Sequence, residues 1–198
     1  RQIGLRDRVV LLDEINRSSA KTQSAMLEAM QEKQTSIGGE NYALPDPFMV
    51  LATQNPSAQA GPYRLPEAQR DRFLMKASIG YPDHASTVEI LSGASVRDRS
   101  KTLQPLITTQ AVTEMAELGA RVHVDGAVLE YVSRLAEETR NAPEVRVGVS
   151  VRGALALVRC AKVWAAAHGR NYVLPDDVKE LAPPTGAHRL VRAPAAGG

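Results

Sequence analysis

Cys160 is the only cysteine in the 198 residues. No internal disulfide can form, and a lone thiol fits a reducing compartment, so the expected location is cytoplasmic. Excess charge is missing too. With 24 basic and 22 acidic side chains the formal charge is +2, which is too even for the strongly basic stripe of a polyanion binder, so nucleic acid is not the expected partner. No apolar run approaches the roughly 20 residues that span a bilayer, which argues against a membrane protein. No signal peptide is visible, and the chain opens at Arg1 rather than Met, so the expectation is that the natural N-terminus lies upstream. His84, His123, His168 and His188 show no metal-ligand spacing with one another or with Cys160, and are expected on the surface or at helix ends. What is present, 43% hydrophobic and 23% charged residues, suits one large globular domain or two small ones.

The informative stretch is Val9-Val10-Leu11-Leu12-Asp13-Glu14-Ile15-Asn16-Arg17, where four apolar residues run straight into two adjacent carboxylates. An unbroken run of this kind reads as a strand buried on both faces of a parallel sheet. Its acids then stand at the carboxyl end, where open α/β sheets bind ligands. An Asp there can hold Mg²⁺, and the Glu after it can activate a water for attack on a phosphate. Alone, the same pattern also fits a strand that ends in a solvated loop. A second absence bears on the choice: no Gly-x-x-x-x-Gly-Lys-Ser/Thr occurs in these residues, so they build no backbone cradle for β and γ phosphates. Either a preceding segment carries that loop, or no nucleotide is hydrolysed.

After the acids, Ser18 or Ser19 can cap a helix through Glu32 whose apolar stripe includes Met26, Leu27 and Met30. Residues 34 to 44 read as a hairpin turning at Gly38-Gly39. Phe48 to Thr53 repeats the buried-strand signature and leads into Gln54-Asn55-Pro56. An Asn beyond a neighbouring strand could bond a γ-phosphate and its attacking water, although Asn-Pro is also an ordinary turn. Leu65 to Phe73 reads as a short helix with Pro66 in its first turn, and Leu74 to Ile79 as a third strand. Asp83 can cap a helix to about Leu91, and the polar stretch from Ser92 to Lys101 marks a domain boundary. Everything beyond reads as helix: one capped by Thr108 or Thr109 and ended by Gly119, one capped by Asp125, one capped by Ser150 and stopped by Gly169, and one opened by Pro175 and broken by Pro183-Pro184.

Taken together, Asp-Glu-Ile-Asn-Arg, Lys21 to Ala25, Leu27 to Glu32, Leu-Ala-Thr-Gln-Asn-Pro and Leu65-Pro66-Glu67-Ala68-Gln69-Arg70-Asp71-Arg72-Phe73 closely resemble the MoxR branch of the AAA+ ATPases. Gly148-Val149-Ser150-Val151-Arg152 resembles the Gly-x-Ser-Pro-Arg motif that starts the family's sensor 2 helix. Two departures stand out, Val151 where Pro is usual and Arg70 where relatives carry Leu. The resemblance runs from about residue 9 to about 191. It implies an α/β fold, a partial AAA+ P-loop NTPase core with a parallel sheet over 1–92, followed by an all-α lid over 103–192. It implies ATP and Mg²⁺ as cofactors, with Asp13 helping to hold the metal, Glu14 activating water, Asn55 placing it as sensor 1, Arg72 acting as an arginine finger and Arg152 as sensor 2. Its further implications are a homo-oligomeric ring, expected to be a hexamer, von Willebrand factor A domain proteins as partners, and chaperone-like remodelling of client protein complexes. The alternatives are a non-hydrolysing assembly module of the same shape, or a motor of the helicase or chelatase branches, which the weakly charged hairpin disfavours.

Overall fold

The computed structural model describes residues 8–37, 39–54, 65–92 and 103–194. Asn55, Gly38 and all of the expected boundary stretch from Ser92 to Lys101 except Ser92 lie outside them. In chain order the elements are β1 (Val9–Leu12), a single 3-10 turn (Ile15–Arg17), α1 (Ala20–Glu32), β2 (Gln34–Ile37), β3 (Glu40–Ala43), β4 (Met49–Ala52), α2 (Glu67–Arg70), α3 (His84–Leu91), α4 (Thr109–Ala120), α5 (Gly126–Asn141), β5 (Val145–Val147), α6 (Val151–Ala167), α7 (Pro175–Gly186) and β6 (Val191–Arg192).

The first part is an α/β unit. β1 and β4 pair in parallel, Val9 opposite Met49 through Leu12 opposite Ala52. The connection between them carries α1 and the antiparallel hairpin β2–β3. Ser19 caps α1 by accepting the Thr22 N–H at 3.3 Å. The helix then buries Met26, Leu27 and Ala29, beside the fully buried Ile15. Double-sided burial of the strands, expected from their unbroken apolar runs, is not found. Val9 and Leu11 are 57% and 65% exposed, and their register partners Met49 and Leu51 share that open face. Among the described residues β1 and β4 form a sheet of two strands, and nothing described covers that side.

Residues 74–79 form no strand. Their backbone bonds go elsewhere: the Lys76 N–H donates to the Pro184 carbonyl at 2.8 Å, and the Phe73 and Leu74 carbonyls accept from side chains after α7. With its polar groups taken up by the helical region, the segment has no strand partner among the described residues, and Met75 and Ile79 stand exposed.

The second part packs α4 to α7 round a core of Val128, Val132, Leu157, Ala161, Val178 and Leu181. Burying each such Val or Leu side chain contributes about 1.5–3 kcal/mol. Thr108, Asp125 and Ser150 cap α4, α5 and α6 through bonds to backbone N–H groups. The part is not purely helical, because β5 and β6 form a small antiparallel pair. Two expected stops also differ. Gly119 lies inside α4, where an added Cβ would come within 3.0 Å of Val163. Pro183 and Pro184 do not break α7, which runs on to Gly186 while the Pro184 carbonyl serves Lys76. Cys160 is buried in this core, and burial pushes its thiol pKa up. Among the described residues no helix is long and apolar enough to cross a membrane.

Asp177 fastens α7 to the chain before it. Its carboxylate takes both ends of the Arg170 guanidinium at 2.6 Å and the Leu174 N–H at 2.8 Å. The Arg170 bond, aided by the Leu174 N–H, holds the Asp177 carboxyl below the usual carboxylate range against the opposing effect of burial. A carboxylate whose pKa is lowered by folding stabilises the fold above its unfolded pKa, and that contribution is lost as pH falls through the lowered value. Thermal midpoints should therefore hold at neutral pH and decline in the acid range below about pH 4. Asp177→Asn should lower the midpoint at pH 7 and flatten that acid decline; equal acid sensitivity in parent and variant would remove the pair from the fold's stability.

Candidate functional site

The parallel register of β1 and β4 decides where the acids go. Leu12 faces Ala52, so Asp13 and Thr53 leave their strands side by side. The ladder continues one step further, with the Thr53 N–H donating to Leu12 at 2.9 Å and the Ile15 N–H to the Thr53 carbonyl at 3.1 Å. The Thr53 hydroxyl donates to Asp13 Oδ1 at 2.6 Å and accepts the Glu14 N–H at 2.9 Å. Glu14 is left-handed, at φ 48° and ψ 56°, a conformation that costs a non-glycine residue about 1–3 kcal/mol and clusters at functional sites. Its carboxylate meets Arg17 Nε at 3.2 Å. Asp13 is exposed and Glu14 half-buried, so both carboxylates are open to a ligand. Asn55 follows Thr53 by two residues, just outside the described segment.

Arg72 and Arg152 come together elsewhere. They line one cavity of about 460 Å³ with Arg159, Gln31 and the paired Asp71 and Arg189, and neither Asp13 nor Glu14 reaches it. The two places sit at opposite ends of α1. Gln23, in its first turns, donates to the Ile15 carbonyl at 3.0 Å, beside the acids, whereas Gln31 lines the arginine cavity. Eight residues of helix at 1.5 Å each put about 12 Å between them.

The acids that could have neutralised Arg72 are engaged with other cations: Asp71 pairs with Arg189 at 2.5 Å, and Glu67 with Arg146. Among the described residues the guanidiniums of Arg72, Arg152 and Arg159 have no hydrogen bond or ion pair. Unpaired guanidiniums round one hollow make a site for an anion, and the planar donor fork suits phosphate. Arg70 points differently. It lines a separate hollow of about 190 Å³ with Gln54, Leu65 and His188. His188 is buried rather than at the surface, and its Nε2 meets the Phe73 carbonyl at 3.0 Å. Burial pushes the imidazole pKa down despite that bond.

Residues 4–75 match the family described as "ATPase family associated with various cellular activities", and residues 137–198 match the AAA lid domain. Over 191 residues the chain is 41% identical to the chaperone MoxR1 of Mycobacterium tuberculosis, covering 92% of this chain and 50% of that protein. The chain belongs to the MoxR family of AAA+ ATPases. This MoxR-family chain is also 44% identical to YeaC of Bacillus subtilis, over 95% of its own length and 59% of YeaC's. Its fold superposes on a putative ATPase from Cytophaga hutchinsonii with a TM-score of 0.85 at 39% identity, covering 94% of this chain and 59% of that one. The chain thus spans between half and three-fifths of these relatives.

Sequence reasoning missed two members of the site. Thr53 lay in the phrase Leu-Ala-Thr-Gln-Asn-Pro, and its place opposite Asp13 follows once β1 and β4 are paired in register. Arg189 is the other, and nothing local to it announces its partner 118 residues earlier. Thr53 yields a direct test. Thr53→Val removes the bonds to Asp13 and the Glu14 N–H, whereas Thr53→Ser keeps both. A hydrogen bond of about 1 kcal/mol corresponds to roughly fivefold in local opening. Amide exchange at Glu14 should rise by about that factor in the Val variant and stay unchanged in the Ser variant. Equal exchange in all three proteins would show that the hydroxyl does not organise the acid pair.

Proposed function

We propose that the full-length protein hydrolyses ATP at subunit interfaces of a ring, expected to be a hexamer, and uses the cycle to remodel or mature client protein complexes. In this reading residues 1–92 belong to the AAA+ core and 103–192 to its lid. The supporting observation is the division of the site: two open acids at one end of α1, and three unpaired arginines, Arg72 and Arg152 among them, in a hollow at the other. Groups so separated on one chain can serve a single triphosphate when they come from neighbouring copies. ATP would then lie between the acid end of one subunit and the arginine hollow of the next. The MoxR1 relative is named a chaperone, which supports the remodelling role, and von Willebrand factor A domain proteins are the expected partners.

The residues present suit Mg²⁺ with nucleotide. Among the described residues no three acids, histidines or cysteines form a protein cage. Mg²⁺ instead takes one or two carboxylates together with phosphate oxygens and water. When bound, the ion supplies charge neutralisation on the β and γ phosphates. Asp13, oriented by Thr53, would help hold it. Glu14 would take a proton from the attacking water, its carboxylate kept close by the left-handed turn and by Arg17. Asn55 would place that water. Arg72 from the neighbour would stabilise charge on the transferring phosphoryl group, a contribution of about 10³ to 10⁵ in rate for such a finger. Arg152 would bind phosphate beside it and tie the lid to the nucleotide state.

Two measurements test this. In the full-length protein Glu14→Gln should retain ATP binding and slow turnover by at least about 10²-fold, the scale of a lost general base; unchanged turnover removes Glu14 from the mechanism. Arg72→Ala subunits mixed with Glu14→Gln subunits should regain activity, because some interfaces then combine an intact Glu14 with an intact Arg72. Stable mixed rings without recovery would overturn the shared site.

A further inference from the structure

Arg189 follows the end of α7 by three residues, yet its guanidinium is buried, with the side chain 2% exposed. Its Nε donates to the Thr185 carbonyl at 2.8 Å, within its own helix turn. Every other bond crosses to the segment that carries Arg72. Nη1 donates to the Asp71 carboxylate at 2.5 Å and to the Asp71 carbonyl, and Nη2 to the Phe73 carbonyl at 2.7 Å. α2 is only four residues long, so the carbonyls after it lack the partners a longer helix would give them. A rigid fork with five donors can satisfy several of them from one side.

Asp71 is held from a second direction. The Ser150 hydroxyl donates to its carboxylate, 3.0 Å from each oxygen, and accepts the Gly153 N–H at 3.1 Å as the cap of α6. Asp71 therefore sits between Arg189 and Ser150. Arg72 is the next residue after Asp71, and Arg152 stands two after Ser150. The passage of the Arg189 side chain depends on Gly153. A Cβ there would come within 2.9 Å of Arg189 Cδ and 2.8 Å of Val149 Cγ1, both closer than packed side chains tolerate.

We propose that Arg189, acting through Asp71, is a positioning residue that holds Arg72 and Arg152 as one unit, so that both guanidiniums reach a neighbouring subunit's triphosphate together. The inference rests on the shared-site reading above. Arg189 itself touches no nucleotide. It fixes the turn on which Arg72 stands to the helix on which Arg152 stands, so a change in lid angle carries both. Lys at 189 keeps the charge and loses the fork, and therefore cannot serve the Asp71 carboxylate and the Phe73 carbonyl together.

The test uses full-length rings carrying Arg189→Met, Arg189→Lys, Arg72→Ala and the Arg72→Ala/Arg189→Met pair. A misplaced catalytic group costs about 10²-fold, so both Arg189 variants should lose turnover on that scale. ATP affinity, read with a fluorescent ATP analogue, should fall much less than turnover, since the part of the loss that passes through Arg72 falls on the transition state. Adding Arg189→Met to Arg72→Ala should cost clearly less than Arg189→Met costs alone, because the part of its effect that passes through Arg72 is already lost and only the part through Arg152 remains. A role confined to folding would instead slow the double variant by the full factor seen in Arg189→Met alone. Arg189→Met or Arg189→Lys within about twofold of parent turnover, with Arg72→Ala inactive, would overturn the positioning role and leave the shared site standing. Parent-level turnover in Arg72→Ala would overturn the shared site itself. Should the Arg189 variants fail to assemble, Asp71→Asn carries the same comparison: non-additivity with Arg72→Ala supports the proposal, and additive or absent loss overturns it.

Discussion

The parallel, unshifted pairing of β1 with β4 is the constraint from which the acid end of the molecule follows. Two strands that run the same way and stay in register deliver whatever follows them to one edge. Asp13, Glu14 and Thr53 are therefore neighbours through backbone geometry rather than through attraction between them, since two of the three are acids. An antiparallel pairing would send residue 53 to the other end of the strands, and a slip of one residue would turn Thr53 to the opposite face. The hydroxyl then does what neither carboxylate could: it donates to Asp13 and accepts from the Glu14 amide in the same step.

The cationic end obeys a different rule. A buried guanidinium is tolerable only when its donors are met, and the chain meets those of Arg189 with carbonyls of a turn more than a hundred residues away. Spending Asp71 on that bond, and Glu67 on Arg146, leaves Arg72 without an acid of its own. The same contacts that join core and lid thus keep the outer guanidiniums uncompensated, and an uncompensated cluster concentrates field on an incoming anion. Structure and electrostatics are set here by one allocation of acids among bases.

What could be read in the sequence was local chemistry. Ser19, Asp83, Thr108, Asp125 and Ser150 each cap the helix they precede, because a side chain reaching two or three residues forward needs no knowledge of the fold. The hairpin at 34–43 and the two parallel strands were legible for the same reason. Long-range bonding was not. Residues 74–79 carry a strand-like composition, yet the Lys76 N–H bonds to α7; Pro183 and Pro184 punctuate a sequence without ending the helix; the β5–β6 pair joins segments more than forty residues apart. His188 was expected at the surface or a helix end and turned out buried. The apolar runs of β1 and β4 were read as covered on both faces, yet a composition that wants cover cannot say what covers it. Of the proposed nucleotide contacts, Asp13 and Glu14 meet at one end, Arg72 and Arg152 at the other, and Asn55 falls outside the described residues.

Gly153 gives the seam a vulnerability that has nothing to do with flexibility. The missing methyl is a keyhole through which the Arg189 stem passes, and filling it would press on Arg189 Cδ and Val149 Cγ1 and so strain the hold of Arg189 on Asp71. Such a strain would leave Arg72 and Arg152 chemically intact while loosening the joint at Asp71 that lies beside both. The proposed shared site could in this way be silenced at a residue that has no polar side chain at all.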